Sequence, residues 1–166
     1  MSDSITLSQA ALDQIEIEAG KYPADKRASV LMAALTIAQA EHGHLSHALI
    51  ERVAEIAKVP AMRAYEVATF YSMYEHKPCG KAQIKVCTNI SCQLRGSDEI
   101  VAQLEKRLGI KLGEVTEDGQ FGLKEVECLG ACVGAPMLQL NKDFIENLTP
   151  ESIDTMLNEL GAGDAS

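Results

Sequence analysis

The sequence predicts an α+β chain in two parts: a helical bundle over residues 1–77 and an α/β domain over 78–161, followed by a short disordered tail at 162–166. Three observations lead there. Apolar residues recur at helical spacing through the first 75 residues, with no convincing strand. The stretch Lys77-Pro78-Cys79-Gly80-Lys81 then interrupts the pattern as a linker would. Beyond it, alternating strands, a well-punctuated helix and four of the five cysteines follow.

The 166 residues suffice for a buried core without disulfides, and 46% of them are apolar. Trp is absent and aromatics are only 4%, so the core is aliphatic. A net charge of -9 leaves no basic stripe to displace phosphate counterions, which argues against nucleic acid. The first residues lack the basic and apolar regions of a secretory signal, and no apolar run reaches the ~18 residues that span a bilayer. The expectation is a cytoplasmic protein with no direct membrane insertion. Paired cysteines in a reducing compartment read as metal ligands or redox groups.

In the bundle, Leu7-Ser8 reads as a hydrophobic staple and N-cap, with Leu12 as the staple's partner, for a helix ending at Gly20. A second helix is expected from Asp25 to His42, with an apolar face wide enough for the centre of a bundle and Gly43 as its stop. Leu45-Ser46 opens a third, stapled to Ile50, and Pro60 sits in the first turn of a fourth that runs towards Tyr71. His42, His44 and His47 straddle a helix stop and a helix start, so they read as a solvated turn more than as a metal site. Tyr65, Phe70, Tyr71 and Tyr74 cluster just before the linker, where they serve as core, as partner surface, or as both.

In the second part, Ala82–Thr88 alternates as a strand ending near Cys87. Ser97 is expected to cap the next helix, with Asp98 and Glu99 in its first turn, Lys106 and Arg107 in its last, and Gly109 as its stop. Asp118-Gly119 marks a hairpin between Glu114–Thr116 and Phe121–Glu127. Met137–Asn141 reads as a strand, and Thr149-Pro150 opens a last helix, with Leu148 stapled to Ile153. Strand, helix, strand, strand, strand, helix is the order of a thioredoxin-like fold. Such folds often carry a cis proline beside the site, a role for Pro136. The dithiol motif C-x-x-C is nevertheless missing, so disulfide exchange is disfavoured.

The cysteines form two pairs, C-T-N-I-S-C (Cys87, Cys92) and C-L-G-A-C (Cys128, Cys132), thirty-five residues apart. Two loops at one end of a sheet can bring four thiolates to one site, for zinc or for an iron–sulfur cluster. Neither pair is a C-x₂-C knuckle, and Gly130 and Gly134 allow backbone N–H groups to approach sulfur. Spacing therefore favours a [2Fe-2S] cluster over zinc, with disulfides or free thiols behind both. Cys79 reads as a spare thiol.

Taken with Y-E-V-A-T-F-Y and the P-x-G before the cysteines, the pattern C-T-N-I-S-C … C-L-G-A-C-V-G-A-P resembles the thioredoxin-like [2Fe-2S] subunits of bacterial NADH:quinone oxidoreductase (respiratory complex I), from about residue 8 to 160. The resemblance implies that Cys87, Cys92, Cys128 and Cys132 hold the iron of one [2Fe-2S] cluster. It further implies that the chain exchanges single electrons with FMN on a flavoprotein partner, in the peripheral arm of a membrane-bound complex, and that the helical part packs on that partner. FMN and NADH are expected on the partner, since this chain has neither G-x-G-x-x-G nor a P-loop. Glu125, Glu127 and the overall acidity disfavour an added electron, so the expected potential is on the order of -400 mV or somewhat above. Equivalent subunits of NAD-linked hydrogenases and formate dehydrogenases share the pattern. A zinc-stapled adaptor is the alternative of a different class.

Overall fold

The computed structural model describes residues 5–162, so of the expected tail at 162–166 only Ala162 lies within the described residues. The chain divides into two compact units, one ending at Pro78 and the other starting at Cys79.

The first unit is helical. Helix α1 (Gln9–Ala19) starts at Ser8, whose hydroxyl accepts the Ala11 N–H at 3.2 Å. The continuous helix expected from Asp25 is instead a 3-10 segment, Ala24–Val30, leading into α2 (Leu31–His42). Lys26 breaks the helical path at φ -111°. Beside it the Arg27 guanidinium pairs with Glu16 and donates to the Ile56 carbonyl at 3.0 Å, tertiary anchors that local periodicity does not reveal. Gly43 ends α2 in the left-handed region at φ 80°. Helix α3 (His47–Ala57) is capped by Ser46, and α4 (Ala61–Phe70) by Pro60, which lies one position earlier than expected. Ala34, Ala38, Ala57, Ala64 and Ala68 are buried, and such small side chains let helices approach closely. The Tyr74 hydroxyl donates to the Met32 carbonyl at 2.9 Å and fastens the segment after α4 onto α2.

The second unit holds a four-stranded sheet in the order β2-β1-β3-β4: β1 (Ala82–Cys87), β2 (Phe121–Val126), β3 (Leu138–Leu140) and β4 (Asp143–Ile145). β1 and β2 are parallel; β1–β3 and β3–β4 are antiparallel. Between β1 and β2 come a short helix α5 (Ile90–Gln93) and then α6 (Ser97–Leu108); α7 (Pro150–Glu159) closes the unit. Ile84, Val86, Leu104, Leu123, Leu138, Ile153 and Leu157 form one core of sheet and helices. A mixed sheet with this helical cover, beside a helical unit, is the expected α+β class and thioredoxin-like order.

Several local expectations are corrected. A β-hairpin that the sequence did not announce lies at β3–β4, turning at Asn141 with φ 54°. The expected hairpin over 114–127 is present but short: Val115 bridges Gly122 antiparallel, the Thr116 N–H donates to the Phe121 carbonyl at 2.9 Å and the Leu123 N–H to the Glu114 carbonyl at 3.0 Å, while the other edge of β2 carries the ladder with β1. The string of elements thus differs from the expected one by the short α5 before α6, by the added β4, and by Glu114–Thr116 making a bridge and not a strand. Ser97 does not cap α6. The cap is Gly96 at φ 95°, and Ser97 is the first helical residue, buried with an unpartnered hydroxyl. The chain leaves α5 and enters α6 through a left-handed residue, which glycine adopts at little cost. The Ala135–Pro136 bond is cis, as the fold suggested.

Candidate functional site

Topology places the cysteines. Because β1 and β2 run parallel, their C-terminal ends share one edge of the sheet, where Cys87 pairs with Val126. Cys128 follows two residues later. β3 returns antiparallel, with Leu138 opposite Val86, so the loop through Cys132 and Pro136 meets the same edge. The Cys87 N–H donates to the Met137 carbonyl at 3.2 Å. Cys92 lies on α5 and not in an irregular loop.

The two pairs differ in exposure. Cys87 and Cys92 are buried and pack with Ala135 and Met137, with Leu129 and Ala131 against them. Cys128 and Cys132 are exposed, their sulfurs 3.8 Å apart. Two thiolates sharing one tetrahedral ion, each about 2.3 Å from it, would stand about 3.8 Å apart. The Gly130 N–H points at Cys128 Sγ, 3.4 Å away, with Gly130 at φ 83°. Such an N–H stabilises negative charge on sulfur.

Burial pushes the Cys92 thiol above its usual range, and its hydrogen bond with Cys87 adds to the shift. The Met137 backbone opposes this, while Cys132 also disfavours the charged form. A buried thiol among thiols gives up its proton readily only to a cation that takes the proton's place. Among the described residues no three His, Cys, Asp or Glu side chains converge on a single metal position. Two thiol pairs are the donor pattern of a dinuclear centre. All-sulfur donors, a sulfur-directed amide and a dry inner pair fit a [2Fe-2S] cluster.

Other candidates lie elsewhere. Cys79 precedes the N-terminal end of β1, opposite Cys87, and its sulfur accepts from Gln83 Nε2 at 2.8 Å. The Cys79-Gly80 backbone lies so close on β2 that a Cβ at Gly122 would strike the Cys79 carbonyl. His42 contacts Glu41, and His47 stacks near Tyr65 with ring centroids 5.2 Å apart. The aromatic cluster divides: Tyr74 is buried, whereas Phe70 is 80% exposed. Phe70 and Tyr71 line a groove with Met32, Val59 and Val67.

The sequence singles out Glu125 and Glu127 for their charge, but not the hydrogen bonds by which they bridge to the chain after Cys87. Thr88 Oγ1 donates to Glu125 Oε1 at 2.6 Å, and Asn89 Nδ2 donates to Glu127 Oε2 at 2.9 Å. Polar residues just after Cys87 and acids just before Cys128 were the available signal, but only the β1–β2 register reveals that they meet.

Comparison with known proteins agrees with this geometry. The thioredoxin-like [2Fe-2S] ferredoxin family matches residues 15–161. A subunit of the NADH-quinone oxidoreductase of Rickettsia felis is 47% identical over 160 residues, covering 96% of this chain and 96% of its own. A like-named NADH-quinone oxidoreductase component of Rhizobium meliloti is 44% identical over 152 residues, 92% of this chain and 89% of its own. Among solved structures, a chain of an NAD+-reducing [NiFe]-hydrogenase in the H2-reduced state shares the fold. Its TM-score is 0.71 at 21% identity, over 81% of this chain and 22% of that one.

Proposed function

The chain belongs to the thioredoxin-like [2Fe-2S] ferredoxin family, and from that premise we propose that it is the [2Fe-2S] electron-transfer component of an NADH–quinone oxidoreductase, exchanging single electrons with FMN on a flavoprotein partner. The observation that carries this is the gathering of two thiol pairs at one sheet edge, one buried and one exposed. Relatives that share nearly the whole chain bear that enzyme's name. The hydrogenase likeness, at 21% identity, speaks for fold alone.

When bound, the cluster supplies one-electron chemistry. Cys87 and Cys92 would hold its inner iron and Cys128 and Cys132 its outer one. The residues around the inner pair exclude water. Ile90 and Leu94, on either side of Cys92, and Val133, next to Cys132, are 67%, 82% and 99% exposed. A partner covering these apolar groups would bring its flavin towards the outer thiolates and dry the path between. The groove beside Phe70 and Tyr71 offers the helical unit a contact of its own. Among the described residues no helix is long and apolar enough to cross a membrane.

The test is iron and acid-labile sulfide analysis of anaerobically purified protein, with an EPR spectrum after dithionite reduction. Two irons and two sulfides per chain are expected, lost on serine substitution at Cys87, Cys92, Cys128 or Cys132 and retained in Cys79→Ser. One zinc without sulfide would overturn the proposal.

A further inference from the structure

A dinuclear centre shared between two loops demands that the loops keep a fixed spacing, since each carries one iron and bridging sulfides join them. The backbone supplies part of this: the Thr88 N–H reaches the Val126 carbonyl at 3.3 Å. Two side-chain hydrogen bonds supply more. Thr88 and Asn89, the first residues after Cys87, hold Glu125 and Glu127, the last acids before Cys128. Both donors are neutral, a hydroxyl and an amide, and bring no compensating charge to the carboxylates. Glu127 is bonded directly to Cys128 in the chain, and consecutive Cα atoms are about 3.8 Å apart. Its charge is therefore carried on the residue next to a thiolate, and charges within a Debye length, about 8–10 Å at ordinary ionic strength, are only partly screened.

Resting on the [2Fe-2S] reading, we infer that Thr88, Asn89, Glu125 and Glu127 form a charged clamp: it fixes the spacing of the two cysteine loops and lowers the cluster's midpoint potential. The four act as positioning residues, touching the loops and not the electron's donor. The two roles separate by substitution. Glu127→Gln keeps an oxygen that can accept from Asn89 and removes the charge. Asn89→Ala breaks the bond and leaves the charge. Glu117→Gln is a distant control at the other end of β2, a strand of six residues, or roughly 17–20 Å.

The experiment is a redox titration of the purified protein followed by EPR, with loss of visible absorbance in air as the measure of cluster lifetime. Glu127→Gln is expected to raise the reduced-to-oxidised ratio at fixed potential several-fold; tenfold would be about 59 mV for one electron. Glu117→Gln should leave it unchanged. Asn89→Ala should shorten cluster lifetime and alter the EPR line shape. Glu125→Gln gives a second reading if Glu127→Gln fails to assemble. Equal potentials in Glu127→Gln, Glu125→Gln and Glu117→Gln would overturn the charge role. A wild-type lifetime and spectrum in Asn89→Ala would overturn the clamp. Absence of any cluster in the wild type would instead defeat the function proposed above.

Discussion

Gly130 and Gly119 together separate backbone strain from cluster chemistry. Both occupy the left-handed region, at φ 83° and φ 68°, and a Cβ built on either meets no atom within 4 Å. Alanine therefore introduces no clash at either place, only conformational cost. A left-handed L-residue costs roughly 1–2 kcal/mol, and the loss of glycine's freedom in the unfolded chain returns about 0.4–1 kcal/mol. The net is about 1 kcal/mol for each variant. In a domain of about 60–100 residues, 1 kcal/mol lowers Tm by roughly 4–8 °C. Calorimetry of the metal-free protein should thus find Gly130→Ala and Gly119→Ala similarly and mildly destabilised. With the cluster assembled they part company, because the Gly130 N–H is aimed at Cys128 Sγ, 3.4 Å away, whereas Gly119 turns the chain beyond Thr116. Only Gly130→Ala should then shift the EPR signal or the midpoint potential. A metal-free Tm loss above about 20 °C in either variant, or identical cluster properties in both, would refute the reasoning.

Leu104 is fully buried between α6 and the sheet, so Leu104→Ala should cost about 3 kcal/mol in urea unfolding, while Leu94→Ala, at 82% exposed, should stay within about 0.5 kcal/mol. Asp154 is held below the usual carboxylate range by hydrogen bonds first from Gln103 and then from Arg107, joining α7 to α6. A depressed folded pKa means stabilisation that is complete above the unfolded value, near 3.8, and is lost as pH falls through the folded one. The Tm gap between wild type and Asp154→Asn should therefore be constant near neutrality and close below about pH 4; a gap that widens in acid would contradict the sign.

Much of the fold was legible because its signals are local. Ser8, Ser46 and Thr149 each cap the helix that their position announces, and Gly43 and Gly109 stop theirs in the left-handed region. What escaped depends on partners distant in sequence. β4 is three residues long, and its turn at Asn141-Lys142 lacks the Asn-Gly or Asp-Gly signature of a tight hairpin. Asp118-Gly119 does carry that signature and does turn the chain, yet the strand expected before it makes only one bridge. The break at Lys26 coincides with Arg27 reaching α1 and α3. At the site, the four cysteines could be singled out from spacing, whereas their division into buried and exposed pairs could not. That division follows from strand direction.

Strand direction also explains why thirty-five intervening residues do not matter to the site. A parallel β1–β2 pair delivers two C-terminal ends to one edge, and an antiparallel β3 begins there, so three chain crossings meet whatever the connecting helix measures. Cys87 is the last residue of β1 and is drawn inward with Met137, so its pair is roofed by protein. Cys128 lies past the end of β2, beyond the last ladder pair, and nothing in its own unit covers it. A cluster spanning the two pairs is insulated on one side and open on the other by construction. For such a cluster the short way in and out would pass Cys128 and Cys132, where the protein covers it least. A centre held between a buried and an exposed thiol pair would exchange electrons on the exposed side, and a partner would have to stand there.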